Sequence, residues 1–358
     1  MRILHLIKSF GFGGAENHVR DLANVQAETG HEVFIIASKG RQNDLLGESV
    51  RFSEMKMSDL CAPVQVFIVS RFIKKNGIDI VHAHQRLPIF IGTLSSKIAG
   101  IPVVATVHGK TQYDIRSPFV RRLINKFIFV RQSTYDESGK YRIPAGKAVI
   151  IQNGVRIAEP SGDRDYHSLC YISRIDRRHA EVISAIMKKT LTGFLKQYPG
   201  ITFNIVGEGE GLSGLRPEAE AINNTIGQGI VRIHGYLPDV TQIIKKSGMV
   251  FGVGRVAIES LACRVPVLSV NQKYFGGLLS RENYDFFRKN NFVGYGLEAP
   301  DEFKIRSELE KYFFNIDYWQ KEAVYLQKKI DEDFNIYRII SSVTGVYSEL
   351  TERGGEVR

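Results

Sequence analysis

The sequence predicts an α/β chain of two domains, each a parallel sheet covered by helices. Three observations predict it. Short apolar strands alternate with amphipathic helical stretches along the chain. Glycine-rich turns join strand ends to helix starts around residues 11–14, 206–211 and 252–254. A polar Pro/Gly stretch at residues 159–165 (EPSGDRD) separates two such series. The domains are therefore expected at 1–160 and 166–334, with residues 335–358 forming a C-terminal helix that packs back on the first domain.

The 358 residues suffice for two cores of ordinary size. Hydrophobic content of 43% and charged content of 24% are those of a globular protein. The three cysteines, Cys61, Cys170 and Cys263, lie far apart with no CxxC spacing, which points to a reducing compartment and no structural zinc. No apolar run approaches the ~18 residues that a membrane helix requires, and MRILHLI reads as a first strand rather than a leader. The net charge of +10 is uneven: residues 1–165 hold 23 basic against 15 acidic side chains. That surplus calls for an anionic partner. No zinc finger, RNP strand or helix-turn-helix is present, so nucleic acid is excluded as that partner.

The first half opens with a strand at 2–7, a loop holding Gly11, Gly13 and Gly14, an amphipathic helix at 15–29 and a buried strand at 32–37. This is a βαβ unit in which the amides of Gly13 and Gly14 sit at a helix start, where phosphate binds. The motif is not GxGxxG, and a plain tight turn explains it equally well. Strands at 78–82 and 103–107 flank a helix at 88–99. His82 and His84 read as strand-end packing. His108 ends the later strand, where side chains of parallel sheets face ligand. Residues 117–131 (SPFVRRLINKFIFVR) carry apolar side chains at helical spacing, with Arg116, Arg121, Arg122 and Lys126 mainly elsewhere. A core helix with a solvated basic face accounts for this pattern, as does a helix lying on an anionic bilayer.

The second half begins with a strand at 148–152 closed by Asn153-Gly154. Asp163-Arg164-Asp165 is formally a DxD, but it lies in the linker with no strand to present it, so no metal is assigned. Strands follow at 169–173, 201–206, 231–234, 249–253 and 265–270. The clearest helices are 181–197, 301–314, 318–330 and 336–350. Arg174 directly follows the first of these strands, where an arginine suits a diphosphate. Residues 251–268 (FGVGRVAIESLACRVPVL) place Gly254 and Arg255 at a helix start and Glu259 one turn in, an anion site beside a carboxylate suited to hydroxyls.

GGAENHVRDLANVQAETGHEV, IVHAH, VVATVHG, VIIQNGV, YISRID, FNIVGEGE, VRIHGYLPDV and GVGRVAIESLACRVPVLSV occur in an order that resembles glycosyltransferase family 4. The resemblance implies the GT-B fold, two Rossmann-like domains with parallel sheets facing a central cleft. It implies a retaining, bacterial-type transferase moving a sugar from a nucleoside diphosphate, UDP in first place, to a glycan or lipid-linked acceptor. Such enzymes build cell-surface polysaccharide or glycolipid, including lipopolysaccharide. The donor would lie mainly on the second domain and the acceptor on the first. The resemblance assigns Glu259 to the donor ribose, Arg174 to the leaving diphosphate, Gly13 and Gly14 to the phosphate loop, and His108 to the donor sugar. His179, Gly254 and Arg255 complete the donor-binding set, with no metal and no further cofactor. The expected location is cytoplasmic, peripheral on the inner membrane face, with residues 116–131 as the membrane contact.

Three positions depart from the family pattern. Phe251 stands where the first glutamate of an E-x7-E pair belongs, His179 where a lysine belongs, and Arg264 where a glycine belongs. These departures admit a second reading, a catalytically silent scaffold. A third, a sugar-nucleotide epimerase, needs acid–base carboxylates around the sugar that the sequence does not offer.

Overall fold

The computed structural model describes residues 1–11, 13–109, 115, 117–227 and 229–355. Its chain divides into two compact units, Met1–Gly154 with Ile336–Arg358, and Val155–Asn335.

The first unit contains seven strands: β1 (Arg2–Ser9), β2 (Glu32–Ser38), β3 (Arg51–Glu54), β4 (Ile80–His84), β5 (Val103–Val107), β6 (Lys126–Phe129) and β7 (Ala148–Ile150). They lie in the order β3-β2-β1-β4-β5-β6-β7, and every neighbouring pair is parallel. Strand order reverses between β1 and β4, so their carboxyl ends border the switch point at which such sheets bind ligand. All five residues of β4 and of β5 are buried, as in a strand covered on both faces. The helices Ala62–Asn76 and Arg86–Ala99 cover one face, packing Val66, Val69, Ile89 and Ile91 against Leu4, Val81 and Ala105. On the other face the helix Ile336–Gly355 contributes Ile336, Ile340, Val343 and Tyr347, at helical spacing, against Ile3, Ile80, Val104 and Ile128.

The second unit holds β8 (Asp165–Ile172), β9 (Thr202–Val206), β10 (Val231–Gly235), β11 (Ser247–Phe251), β12 (Val267–Val270) and β13 (Phe275–Leu278). Their order is β10-β9-β8-β11-β12-β13, with a switch point between β8 and β11. β13, which the sequence reading lacks, runs antiparallel to β12. Among the described residues no helix is long and apolar enough to cross a membrane.

Four sequence expectations are corrected. Residues 117–131 are not one helix. A short helix, Pro118–Leu123, ends before β6, whose Phe127, Ile128 and Phe129 are buried between β5 and β7. A run that is apolar at nearly every position satisfies a helical period and a buried strand alike. Of the apolar side chains expected to meet a membrane there, Val120, Ile124, Phe127 and Ile128 are buried and Phe119 stays exposed, while Arg121 turns inward to donate to the Ile115 carbonyl at 2.8 Å. Arg116 lies outside the described residues.

The unit boundary falls at Gly154/Val155, not in the 159–165 linker. The Val155 amide donates to the Phe334 carbonyl at 2.8 Å, and its side chain packs with Leu326, Ile330 and Phe334. The helix expected at 181–197 begins at Arg177, because the Asp176 carboxylate caps it by accepting from the His179 amide. It passes through a π segment at Ile186–Leu191 before Thr192–Gln197. Finally, β11 ends at Phe251, so Gly252, Val253 and Gly254 belong to the connection rather than to a strand.

Candidate active site

In the second unit the chain leaves β8 through Ser173, Arg174 and Ile175. A glycine turn holds this backbone. The Ile175 amide donates to the Glu208 carbonyl at 3.0 Å, and the Gly211 amide donates to the Ile175 carbonyl at 3.0 Å. A Cβ on Gly207 would stand 1.8 Å from the Ser173 carbonyl oxygen, and one on Gly209 would stand 2.2 Å from that of Ile175. Gly207 and Gly209 also have φ of +139° and +151°, which side chains rarely adopt. VGEGEG is thus a clamp that only glycine can build around the segment carrying Arg174. The Arg174 side chain is exposed, and among the described residues no ion pair engages it. His179, by contrast, is turned back: its Nδ1 lies 2.9 Å from Asp176 Oδ1. That capping role, with the backbone amide of His179 as the larger influence, holds the Asp176 carboxyl below its ordinary range.

β11 is the parallel neighbour of β8, with Phe251 opposite Tyr171, so Gly254 and Arg174 follow adjacent strand ends at the switch point. Gly254, at φ +60°, precedes the helix Arg255–Ala262. Arg255 Nε donates to Glu259 Oε1 at 2.7 Å, both side chains being mostly buried. One carboxylate oxygen of Glu259 is therefore already bonded to the arginine one turn before it. Phe251 is fully buried, 6.2 Å from the Tyr171 ring and 5.7 Å from the Phe203 ring. Its side chain faces the core, not a ligand.

Arg264 occupies a left-handed position, φ +57°, which explains a family preference for glycine there. Its Nε donates to Gln327 Oε1 at 2.6 Å, a bond glycine cannot make. A hollow of about 450 Å³ in this unit is lined by Arg178, Thr190, Gln272 and Glu302 but by none of the residues assigned above to the donor.

In the first unit Gly13, at φ +151°, is the N-cap of the helix Gly14–Glu28. A Cβ there would stand 2.2 Å from Glu16 Oε2, so the carboxylate of the first helical turn fills the space beside the loop. Glu16 Oε1 accepts from Gln85 Nε2 at 3.0 Å, and burial raises its pKa. His108 follows β5 and is half-buried. Its ring centroid is 5.2 Å from that of His18, on the helix the glycine loop opens. Its Nε2 is 3.0 Å from His84 Nδ1.

Behind His84 lie His5, its Nδ1 3.3 Å from His84 Nε2, and His82, hydrogen-bonded to Tyr347 and Thr106. The HAH spacing puts His82 and His84 on one face of β4, and His5 is the register partner of His82 on β1. Sequence spacing identifies one such face, but nothing in it pairs β1 with β4. Among the described residues, His5, His82 and His84 alone bring three metal-ligand atoms together, within 4.8 Å of one another. Both nitrogens of His5 and of His82 already have hydrogen-bond partners, and among the described residues no carboxylate or thiolate joins them to balance a buried cation.

Residues 12–159 match the model of Glycosyltransferase Family 4. A phosphatidyl-myo-inositol mannosyltransferase of Propionibacterium freudenreichii is 24% identical over 306 residues, which cover 75% of this chain and 76% of that protein. The chain is thus similar to glycosyltransferases of family 4, most directly over its first unit. Solved structures agree on the fold. HepE of Anabaena in complex with UDP superposes with a TM-score of 0.72 at 17% identity, covering 98% of this chain and 100% of that one. A glycosyltransferase of Rickettsia africae gives 0.73 at 19% identity, covering 98% of each. The two parallel-sheet units are those of the GT-B class.

Proposed function

We propose that this chain is a retaining family 4 glycosyltransferase that moves a hexose from a nucleoside diphosphate to a glycan or lipid-linked acceptor. The observation that carries the reading is Arg174: a cation with no ion pair among the described residues, held at a switch point by a glycine clamp. The barrier to glycosyl transfer lies in parting an oxocarbenium-like sugar from a diphosphate, so preorganised positive charge at the leaving group lowers it. Arg174 supplies that charge and the amides following Gly254 add to it. Glu259, oriented by Arg255, accepts from the ribose hydroxyls. Within the first unit, the likeness to family 4 suggests His108 for the donor sugar and the Gly13–Gly14 loop for phosphate. Retention without a carboxylate nucleophile follows from attack on the face the diphosphate leaves, with the departing phosphate taking the acceptor's proton.

UDP is the favoured nucleotide, supported by the UDP in the Anabaena structure. A lipid-linked acceptor is supported by the name of the Propionibacterium relative. The anionic surface matching the basic first half is a membrane, met by the helix Ala62–Asn76 instead of residues 116–131. Leu60, just before this helix, and Val64, Phe67 and Ile68 on it are exposed, followed at helical spacing by Arg71, Lys74 and Lys75. The enzyme then works at the inner face of the cell membrane. The silent-scaffold reading rests on the burial of Phe251.

A screen of UDP- and GDP-sugars for nucleoside diphosphate release tests these readings together. One donor should turn over. Arg174→Ala should lower kcat about 10²–10³-fold, and Glu259→Ala should raise the donor KM, both with unchanged circular dichroism. Calorimetric binding of no donor at all would favour the scaffold, and full activity of both variants would sink the assignment.

A further inference from the structure

Five of the nine histidines of the sequence gather in the first unit: His5, His18, His82, His84 and His108. Three of them form a row that begins at a glutamine. Gln26 Oε1 lies 2.8 Å from His5 Nε2, His5 Nδ1 lies 3.3 Å from His84 Nε2, and His84 Nδ1 lies 3.0 Å from His108 Nε2. A branch leaves the same amide. Gln26 Nε2 donates to the Tyr347 hydroxyl at 3.4 Å, Tyr347 lies 2.5 Å from His82 Nδ1, and His82 Nε2 lies 2.6 Å from Thr106 Oγ1. Gln26, His5, His82, His84, Thr106 and Tyr347 are all fully buried.

Burial holds these imidazoles neutral. It lowers His5 and His108 to about 4, and lowers His82 and His84 well below the ordinary value. A neutral ring has one N–H and one lone pair, so each link dictates the next. The amide oxygen of Gln26 only accepts, so His5 carries its proton on Nε2. His5 Nδ1 then accepts from His84 Nε2–H, and His84 Nδ1 accepts from His108 Nε2–H. The branch is consistent with this: the amide N–H donates to Tyr347, whose hydroxyl donates to His82 Nδ1, and His82 Nε2–H donates to Thr106. Turning the amide over reverses every bond and satisfies the same partners. The network therefore has two complete states, set by which way the Gln26 amide faces; in the structure its Oε1 faces His5 and its Nε2 faces Tyr347, the state that puts the His108 proton on Nε2.

We propose that Gln26, His5 and His84 are positioning residues that fix the tautomer of His108, keeping its proton on Nε2 and its lone pair on Nδ1. The row is not a proton conduit, because a glutamine amide is no sink for a proton. It supplies the ring of His108 with a defined acceptor nitrogen at the end of β5. That this nitrogen serves the donor sugar rests on the function proposed above; the tautomer itself does not.

The test uses the full chain with ¹⁵N-labelled histidine and a long-range nitrogen–proton correlation spectrum at pH 7. His5, His84 and His108 should each show a protonated Nε2 and a bare Nδ1. Gln26→Leu, which removes the anchor, should leave His108 a mixture of both tautomers although three hydrogen bonds separate the two residues. In steady-state transfer the same variant should lower kcat about tenfold with donor KM within twofold. A proton on Nδ1 of His108 in the unsubstituted chain overturns the proposal without any variant, as does an imidazolium there at pH 7. So does an unchanged His108 spectrum in folded Gln26→Leu, or one equivalent of zinc that binds and shifts His5 and His84. If no sugar nucleotide binds while the tautomers are as stated, the functional reading fails and the row stands.

Discussion

Phe251 is the residue at which family pattern and physics part most plainly. Counting eight residues back from Glu259 finds it where a glutamate is expected. Its neighbours are Tyr171 and Phe203, and its exposure is zero. Only three residues, Gly252 to Gly254, link β11 to the helix Arg255–Ala262, so position 251 remains the last core position of its strand. Phe251→Glu should therefore not restore a donor contact. It removes an aromatic worth roughly 3–5 kcal/mol in a packed core and buries an unpaired carboxyl in its place. The expected result is a protein that melts many degrees lower or is recovered unfolded. A folded Phe251→Glu variant with tighter donor binding by calorimetry would show that the strand end opens and that the family geometry still applies. Arg174 and Glu259 stand out in the sequence because each is a charged side chain close after a strand, Arg174 directly and Glu259 beyond a glycine turn. The pairing of Glu259 with Arg255 was open to an i, i+4 reading; the inward turn of His179 onto Asp176 depends on the cap and was not.

At the level of elements, fully buried strands such as β4 and β5 were readable from unbroken apolar runs, and helices from their stripes. The failures share one cause. β6 is apolar at Phe127, Ile128 and Phe129, and only its place between β5 and β7 makes it a strand. β3 is short and polar, and β13 contains two glycines, so neither carries a period. The helix Ala62–Asn76 has the opposite property, apolar side chains on both faces. Val66, Val69 and Ile73 are buried while Val64, Phe67 and Ile68 face outward, with Arg71 stacked 5.0 Å over the Phe67 ring. An exposed apolar patch running into three cations fits a bilayer with anionic headgroups. The protein should float with liposomes containing anionic lipid, less so at high salt. Phe67→Asp with Ile68→Asp should abolish flotation, whereas Arg121→Glu with Arg122→Glu should leave most of it. Equal flotation of the first pair would remove this helix as the contact.

For the molecule as a whole, the two-sheet plan was legible because it depends on counts and alternation. What sequence could not supply was the meeting of distant segments: His5 with His82 across 77 positions, and His82 with Tyr347 across 265. That meeting makes stability depend on pH. His5, His82, His84 and His108 are all lowered from about 6.5, chiefly by burial. Between about 4 and 6.5 the unfolded chain binds protons that the folded chain does not. The stability these groups confer is thus complete above about 6.5 and lost as pH falls below it. Glu16, whose carboxyl is raised, acts in the opposite direction but is a single group. Each histidine contributes a slope of up to about 1.4 kcal/mol per pH unit, so the four together outweigh it. The melting temperature should be level from pH 8 to 7 and fall steeply from 6.5 to 5. His82→Gln should start lower and fall less. Because His82 bonds to Tyr347, hydrogen exchange should rise first in the helix Ile336–Gly355 as the medium is acidified. A melting temperature unchanged between pH 7 and 5 would mean that the buried histidines do not stay neutral in the fold.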